Sequence, residues 1–173
     1  MKIITSILFA VLVHAGMLAF NSAEARSISI VALGASNTAG KGVSFSSAWP
    51  AQLQAMLRAK GYDVRVANEG INGDDTRRMR ARLTSAVPGG TQIVILGKPT
   101  TNDRKRRVNT NANIAAMRAT LHKRGIKTIV ITGNHRWANR QLQRDRIHIT
   151  VAGHRAIASK LLRRVIAIIG RPK

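Results

Sequence analysis

The fold can be inferred outward from one stretch, Ile28-Ser29-Ile30-Val31-Ala32-Leu33-Gly34-Ala35-Ser36-Asn37-Thr38-Ala39-Gly40. Its first half is a short apolar run with β-branched residues, which is typical of a strand buried on both faces. The run ends at Gly34, and a small, polar turn follows. In open α/β sheets ligands bind at the carboxyl ends of the strands, so Ser36 is predicted to present its hydroxyl there. A serine at such a position is either a turn former or a nucleophile.

The first 25 of the 173 residues have the pattern of an export signal. A lysine follows the initial methionine, then an apolar run over residues 3–20, and then Ala23-Glu24-Ala25, a small-x-small cleavage site. Polar residues interrupt the apolar run, which disfavours the alternative of a membrane anchor. We therefore expect a signal peptide over residues 1–25, a single mature domain over residues 26–173 with no stable membrane span, and a periplasmic or secreted bacterial protein.

The chain is strongly basic, with 29 Lys and Arg against 7 Asp and Glu, a net charge of +22. A charge of this size and sign is typical of proteins that bind nucleic acid. The basic residues are nevertheless spread over predicted helix faces and loops, and aromatic residues make up only 3% of the chain, too few for a stacking platform. Anionic envelope polymers or lipids are the favoured neighbours, and a generally basic proteome is the alternative explanation. There is no cysteine, so an oxidising compartment would give no disulfide support.

Strands alternate with helices along the rest of the chain. Further strands are predicted at 63–67, 92–96 and 127–132, and helices at about 47–61, 76–87, 111–124 and 150–169. This alternation predicts a three-layer α/β/α sandwich around a short, four- to five-stranded parallel sheet of the flavodoxin-like type. Right-handed crossovers would bring all the strand ends to one edge of the sheet.

Chemically useful residues follow the predicted strands. Ser36 could act as a nucleophile if a base and an orienting carboxylate lie nearby, and Asp145, three residues before His148, offers that pair. Asn102 has a side-chain N–H, and Gly73 can bring its backbone N–H close to a substrate. The alternative for the Asp-x-x-His pair is a surface ion pair or a helix cap. Chance would place any one of these residues at a strand end much more often than it would place all of them there.

Four ordered blocks resemble those of the SGNH (GDSL-type) hydrolases and span the predicted mature chain. Leu33–Gly40 is similar to the Gly-Asp-Ser nucleophile block, and Asn68–Asp74 is similar to the second block, whose glycine supplies an oxyanion-hole N–H. Asn102-Asp103 matches the third block. Asp145-Arg-Ile-His148, with Gly153-His154 after it, matches the Asp-x-x-His block. The nearest likeness is to small exported bacterial members described as arylesterases, acyl-CoA thioesterases or lysophospholipases.

The resemblance implies a role for each matched residue. Ser36 would be the nucleophile, His148 the general base and then acid, and Asp145 the group that orients it. The backbone N–H groups of Ser36 and Gly73 and the side chain of Asn102 would form the oxyanion hole. The implied reaction is hydrolysis of small acyl esters or thioesters through an acyl-serine intermediate, without a cofactor. No metal site is predicted, and the remaining histidines of the predicted mature domain are interpreted as surface or helix residues: His122, His135 and His154.

The chain departs from the family pattern in three places. Ala35 stands where the family has Asp, and Thr100-Thr101 where it has Gly-Gly. The span between the fourth strand and Asp145 also leaves little room for the family's usual fifth strand. Two further functions therefore stay open: a catalytically weak or inactive protein that binds anionic envelope material, and a deacetylase of an envelope polysaccharide.

Overall fold

The computed structural model of the protein describes residues 27–131 and 141–172. The predicted signal peptide over residues 1–25 lies outside these ranges and stays a prediction. The described residues form four strands and seven α-helices, with a 3₁₀ turn at Phe45–Ser47. In chain order they are β1 (Ile28–Gly34), α1 (Ser36–Ala39), α2 (Trp49–Arg58), β2 (Val64–Gly70), α3 (Thr76–Ala81), α4 (Leu83–Ala86), β3 (Ile93–Gly97), α5 (Thr100–Lys105), α6 (Thr110–Lys123), β4 (Lys127–Ile131) and α7 (Val151–Ile169).

The strands form one parallel sheet in the order β2-β1-β3-β4. Ile30 of β1 pairs with Val66 of β2 on one side and with Ile93 of β3 on the other, so β1 is a central strand. The predicted α/β class and parallel sheet are confirmed. Of the four- to five-stranded range, the described residues supply four strands.

Helices cover both faces of the sheet, because successive residues of a strand point to opposite sides. Ile30 and Ala32 face a core built with α2 and α7, whereas Val31 and Leu33 face a core built with α3, α4 and α6. The helices contribute apolar stripes, which are fully or almost fully buried: Trp49, Leu53 and Leu57 on α2, Met79 on α3, Ile114, Met117 and Leu121 on α6, and Ile157, Leu161 and Val165 on α7. The periodicity also predicts Ile168 on the inner face of α7, and this is wrong, because Ile168 is 40% exposed in the last turn of the helix. The sheet and the helices on its two faces are the three layers that the alternation of strands and helices predicts.

β2 continues beyond the predicted end of its strand. The sequence pattern ends it near residue 67, but Asn68, Glu69 and Gly70 pair in register with Ala32, Leu33 and Gly34 of β1. Ladder hydrogen bonds involve only the backbone, so a strand can continue through polar residues that carry no apolar alternation. The second loop of the site therefore begins at Ile71.

The sequence pattern predicts no helix between the strand at 92–96 and the helix at about 111–124, but the structure has one there. Thr100–Lys105 is the short helix α5, and Asn102 lies within it. Pro99 is the N-cap residue of α5. Asp103 lies in the first turn of this helix, where a carboxylate is favoured. Thr100 and Thr101 therefore do not need the left-handed backbone that the Gly-Gly of the family pattern permits.

No helix among the described residues is both long and apolar enough to span a membrane.

Candidate active site

Ser36 is the first residue of α1, directly beyond the carboxyl end of β1. Two strand-end glycines make this tight turn possible. A side chain at Gly34 would overlap the Thr38 hydroxyl, and one at Gly70 would overlap the backbone of Ala39. Since only glycine leaves this space, α1 can rest on the ends of β1 and β2 with Ser36 at the rim. The predicted strand-to-helix position of Ser36 is confirmed.

Ser36, His148 and Asp145 lie in one hydrogen-bonded row. The Ser36 Oγ is 3.0 Å from His148 Nε2, and His148 Nδ1 is hydrogen-bonded to Asp145 Oδ2. The imidazole is buried, whereas the side chain of Asp145 is 45% exposed. With the carboxylate on Nδ1, the Nε2 atom is free to accept the proton of the serine hydroxyl. The three residues that the sequence groups together are therefore adjacent in the structure.

The carboxylate of Asp145 is held in its ionised form by hydrogen bonds. Its Oδ1 accepts from the backbone N–H of His148 at 2.9 Å and of Ile147 at 3.0 Å. The backbone N–H of His148, then the imidazole, and then the N–H of Ile147 hold the pKa of Asp145 well below its usual range. Asp145 is thus a permanent negative charge beside the imidazole at neutral pH.

Asn37 fastens the His148 loop to the serine turn, and sequence reasoning missed it. Its Nδ2 donates to the carbonyl of Ile147 at 3.1 Å, and its Oδ1 accepts from the N–H of Ile149 at 3.2 Å. Asn37, the residue after Ser36, is therefore hydrogen-bonded to the residue on each side of His148. Only the position of Asn37, directly after the serine, could have indicated it, because an amide that bonds two backbone groups leaves no pattern in the sequence.

Gly73 and Asn102 lie at the same edge of the sheet. Gly73 has a φ of +81°, which favours glycine, and its carbonyl accepts from the Arg106 guanidinium at 2.6 Å. Among the described residues, neither the Gly73 N–H nor the Ser36 N–H donates a hydrogen bond. The amide of Asn102 donates to the carbonyl of Asp74 at 2.6 Å. An amide has two N–H donors, so one of them remains for a ligand.

Arg82, which sequence reasoning also missed, joins the Ser36 turn to the Gly73 turn. It lies between α3 and α4, and its side chain is only 17% exposed. Its guanidinium donates to the carbonyl of Gly34 at 3.0 Å, to the carbonyl of Glu69 at 2.9 Å and to the carboxylate of Asp74 at 2.8 Å. Because Ala35 has no polar side chain, these bonds supply polar support beneath the serine turn.

Asp103 shows why the third block begins with Asn-Asp. The side chain is buried and accepts from the Thr76 N–H at 2.7 Å and from the Thr110 hydroxyl at 2.6 Å. It therefore ties the start of α3 to α5 and α6. Asp103 is a structural partner of Asn102, and its carboxylate is fully used within the protein.

A cleft opens beside Ser36. Its walls are residues 35–38 of the serine turn, residues 97–102 after β3, and Ile147 from the His148 loop. Asn102 and Ser36 therefore line the same cleft. Of the residues that line it within 27–131 and 141–172, Lys98 alone carries a formal charge.

The other two histidines that the structure describes do not add to this site. His154 lies on α7, as predicted for a helix residue, but the surface alternative is wrong because it is fully buried. Its Nδ1 accepts from the Trp49 N–H at 3.1 Å, and burial lowers its pKa to about 4. His122 is exposed on α6, and His135 lies outside the described residues. The described ranges hold no cluster of three or more His, Cys, Asp or Glu side chains that could bind a metal ion.

One relative by sequence and two solved structures illustrate what the chain is similar to. No protein-family model matches it. Esterase TesA of Pseudomonas aeruginosa is 28% identical over 111 residues, which are 62% of this chain and 55% of that esterase. The chain thus matches about half the length of this relative.

Solved structures share the architecture. AlinE4, described as an SGNH-hydrolase family esterase, is 27% identical with a TM-score of 0.55, over 60% of this chain and 58% of that one. The lipase/acylhydrolase from Enterococcus faecalis is 20% identical with a TM-score of 0.69, over 84% of this chain and 98% of that one, and this second likeness concerns the fold alone. In its parallel sheet and in the four ordered blocks at the edge of that sheet, the chain is similar to the SGNH (GDSL-type) hydrolases.

Proposed function

We propose that the protein is a serine esterase that cleaves small acyl esters or thioesters through an acyl-Ser36 intermediate. The observation that carries the proposal is the row of Ser36 Oγ, His148 Nε2 and Asp145, with the serine 3.0 Å from the imidazole at the rim of a cleft. A nucleophile, a base and an orienting carboxylate are what acyl transfer requires. The printed names of the relatives, esterase and lipase/acylhydrolase, support the same chemistry.

In the first half of the reaction, the Ser36 oxygen attacks the acyl carbon while His148 Nε2 takes the hydroxyl proton. Asp145 stabilises the imidazolium that forms and keeps Nδ1 protonated. The N–H groups of Ser36 and Gly73 and the second N–H of Asn102 donate to the oxyanion. The imidazolium then protonates the leaving alcohol or thiol, which departs as the carbon–oxygen or carbon–sulfur bond breaks.

In the second half, His148 takes a proton from a water molecule, and the resulting hydroxide attacks the acyl-Ser36 carbonyl. The same donors stabilise the second oxyanion. His148 returns its proton to Ser36 as the serine–acyl bond breaks, so the enzyme is restored and a carboxylic acid is released. No cofactor takes part in this sequence of steps.

The proposal is tested by hydrolysis of 4-nitrophenyl acetate and longer 4-nitrophenyl esters, and of a matched thioester, with wild type and His148→Ala. The wild type is expected to turn over an ester, and His148→Ala to lose most of kcat because Ser36 then has no base. His122→Ala is the matched control, since His122 is exposed on α6 away from the row. An unaltered kcat in His148→Ala would overturn the mechanism.

A second candidate is a weak or inactive family member that binds anionic envelope material. Two observations favour it: Ala35 replaces the aspartate of the family's nucleophile block, and one Asn102 N–H is already bonded to the Asp74 carbonyl. The net charge of +22 would attract an anionic polymer. This candidate predicts salt-sensitive binding of such a polymer with no ester turnover by the wild type. Both candidates include export to the periplasm or outside the cell, as the first 25 residues predict.

A further inference from the structure

The ammonium group of Lys98 lies in the cleft but takes no part in the proposed acyl-transfer reaction. Lys98 follows Gly97 at the end of β3, a strand whose residues are all buried, so its backbone starts from a rigid support. The side chain is half-buried and lines the same cleft as Ser36 and Asn102. The other residues that line this cleft carry no formal charge.

No carboxylate within the described ranges forms an ion pair with Lys98. Its ammonium donates only to the amide oxygen of Asn111, at a long 3.4 Å. Asp74 and Asp103, which follow β2 and β3 in the chain, have other partners: Asp74 binds Arg82, and Asp103 binds Thr76 and Thr110. An ammonium that lines a cleft without a counter-ion favours an anion supplied by a ligand, because opposite charges within a few ångströms attract each other.

We propose that Lys98 forms an anion subsite of this cleft, so that the preferred substrates are esters carrying a carboxylate or phosphate group. This inference rests on the proposed function, because it names the substrate class of the same site. In the bound ester, the scissile carbonyl lies at Ser36 and the anionic group contacts the Lys98 ammonium. Charge-assisted contacts of this kind are stronger than neutral ones and orient the rest of the molecule.

The substrate class is tested with aryl acetates that differ in one charge. 3- and 4-acetoxybenzoate carry a carboxylate, 4-acetoxyphenyl phosphate carries a phosphate, and 3- and 4-acetoxybenzamide are the neutral references. For at least one anionic ester, the wild type is expected to show kcat/KM on the order of fivefold above the matched amide. The ratio should approach one in Lys98→Met and at 0.5–1 M salt, about where the Debye length falls to a few ångströms.

Lys98→Arg should keep part of the preference, because the charge is retained. Lys105→Met is the matched control: Lys105 is exposed on α5, outside the cleft lining, and its removal should leave the ratio unchanged. An unchanged anionic-to-neutral ratio in Lys98→Met would overturn the inference, even in an active esterase. The same change in ratio for Lys105→Met would also overturn it, since general surface charge would then explain the preference.

A binding measurement separates this inference from the proposed function. The amide resonances of Gly97 and Ser36 are expected to shift when the wild type is titrated with inorganic phosphate or 3-hydroxybenzoate, and to shift much less in Lys98→Met. Shifts of this kind in a protein that hydrolyses no ester would support the anion subsite and overturn the esterase. The absence of Lys98-dependent shifts would overturn the subsite whatever the activity.

Discussion

One nitrogen of the Arg82 guanidinium lies 2.8 Å from the Asp74 carboxylate, while another is hydrogen-bonded to the Gly34 carbonyl at 3.0 Å. The first contact holds the turn after Gly73, and the second holds the strand end before Ser36. A planar guanidinium with five fixed donors can serve both positions at once, which a lysine cannot. Arg82 therefore sets the spacing between the two backbone N–H groups of the proposed oxyanion hole.

Replacing Arg82 by methionine is expected to lower kcat on the order of 10²-fold with little change in KM, since a displacement of about 1 Å can cost this much. Steady-state kinetics on a 4-nitrophenyl ester provide the measurement. Arg80→Met is the control, because Arg80 is exposed on α3, two residues before Arg82. A kcat equal to that of Arg80→Met would show that Arg82 does not position the site.

The same substitution leaves the buried Asp74 carboxylate unpaired, which alone costs about 3–5 kcal/mol of stability. The double variant Arg82→Met with Asp74→Asn removes both charges, so it should recover stability in urea unfolding but not kcat. Recovery of both would mean that the kcat loss in the single variant comes from unfolding.

Asp145→Asn should lower kcat on the order of 10³–10⁴-fold while KM changes little. The new amide can still accept from the N–H groups of Ile147 and His148, so the loop is kept. Its N–H faces His148 Nδ1 and favours the tautomer with the proton on Nε2, which cannot accept from Ser36. A kcat within a few-fold of wild type would contradict the role of Asp145 as the orienting group.

Asn102→Ala is expected to cost on the order of 10²–10³ in kcat, as loss of one oxyanion donor does elsewhere, with KM nearly unchanged. The variant also loses the bond to the Asp74 carbonyl, so thermal unfolding must be measured beside the kinetics. If stability falls and kcat does not, Asn102 only holds the Gly73 turn, and the oxyanion is stabilised by the two backbone donors.

His154 should make the fold sensitive to mild acid. Its folded pKa of about 4 lies below the ordinary 6.5, so the unfolded chain binds a proton first as the pH falls. Stability is therefore complete above about pH 6.5 and declines towards pH 4, by on the order of 2–3 kcal/mol. Urea unfolding of wild type and His154→Asn at pH 7 and 4.5 tests this, because asparagine keeps an acceptor for the Trp49 N–H without titrating. Equal losses in the two proteins would contradict it.

The fold was predictable because its signals are periodic. The apolar run before Gly34 and the stripes on α2, α6 and α7 follow the burial that each element requires, and the structure confirms them. The end of β2 was not predictable, because backbone pairing with β1 carries residues 68–70 without any side-chain pattern. Helix α5 was missed for a related reason: the Asp103 contacts that hold it are tertiary.

In the candidate site, too, some residues could be predicted from the sequence and others could not. The grouping of Ser36, Asp145 and His148 could be inferred from strand ends and from the short Asp-x-x-His spacing. Arg82 and Asn37 could not, since each acts mainly on backbone carbonyl or N–H groups that the sequence leaves unmarked. Their partners become apparent only when the strand ends are brought to one edge.

Covalent labelling shows whether Ser36 is a nucleophile that His148 activates. The purified protein is treated with a fluorophosphonate and the modified peptide is located by mass spectrometry, with Ser36→Ala and His148→Ala alongside. We expect one adduct on Ser36, none at that position in Ser36→Ala, and much slower labelling in His148→Ala. A wild type that stays unlabelled, or a label that forms equally well in Ser36→Ala, would contradict this expectation.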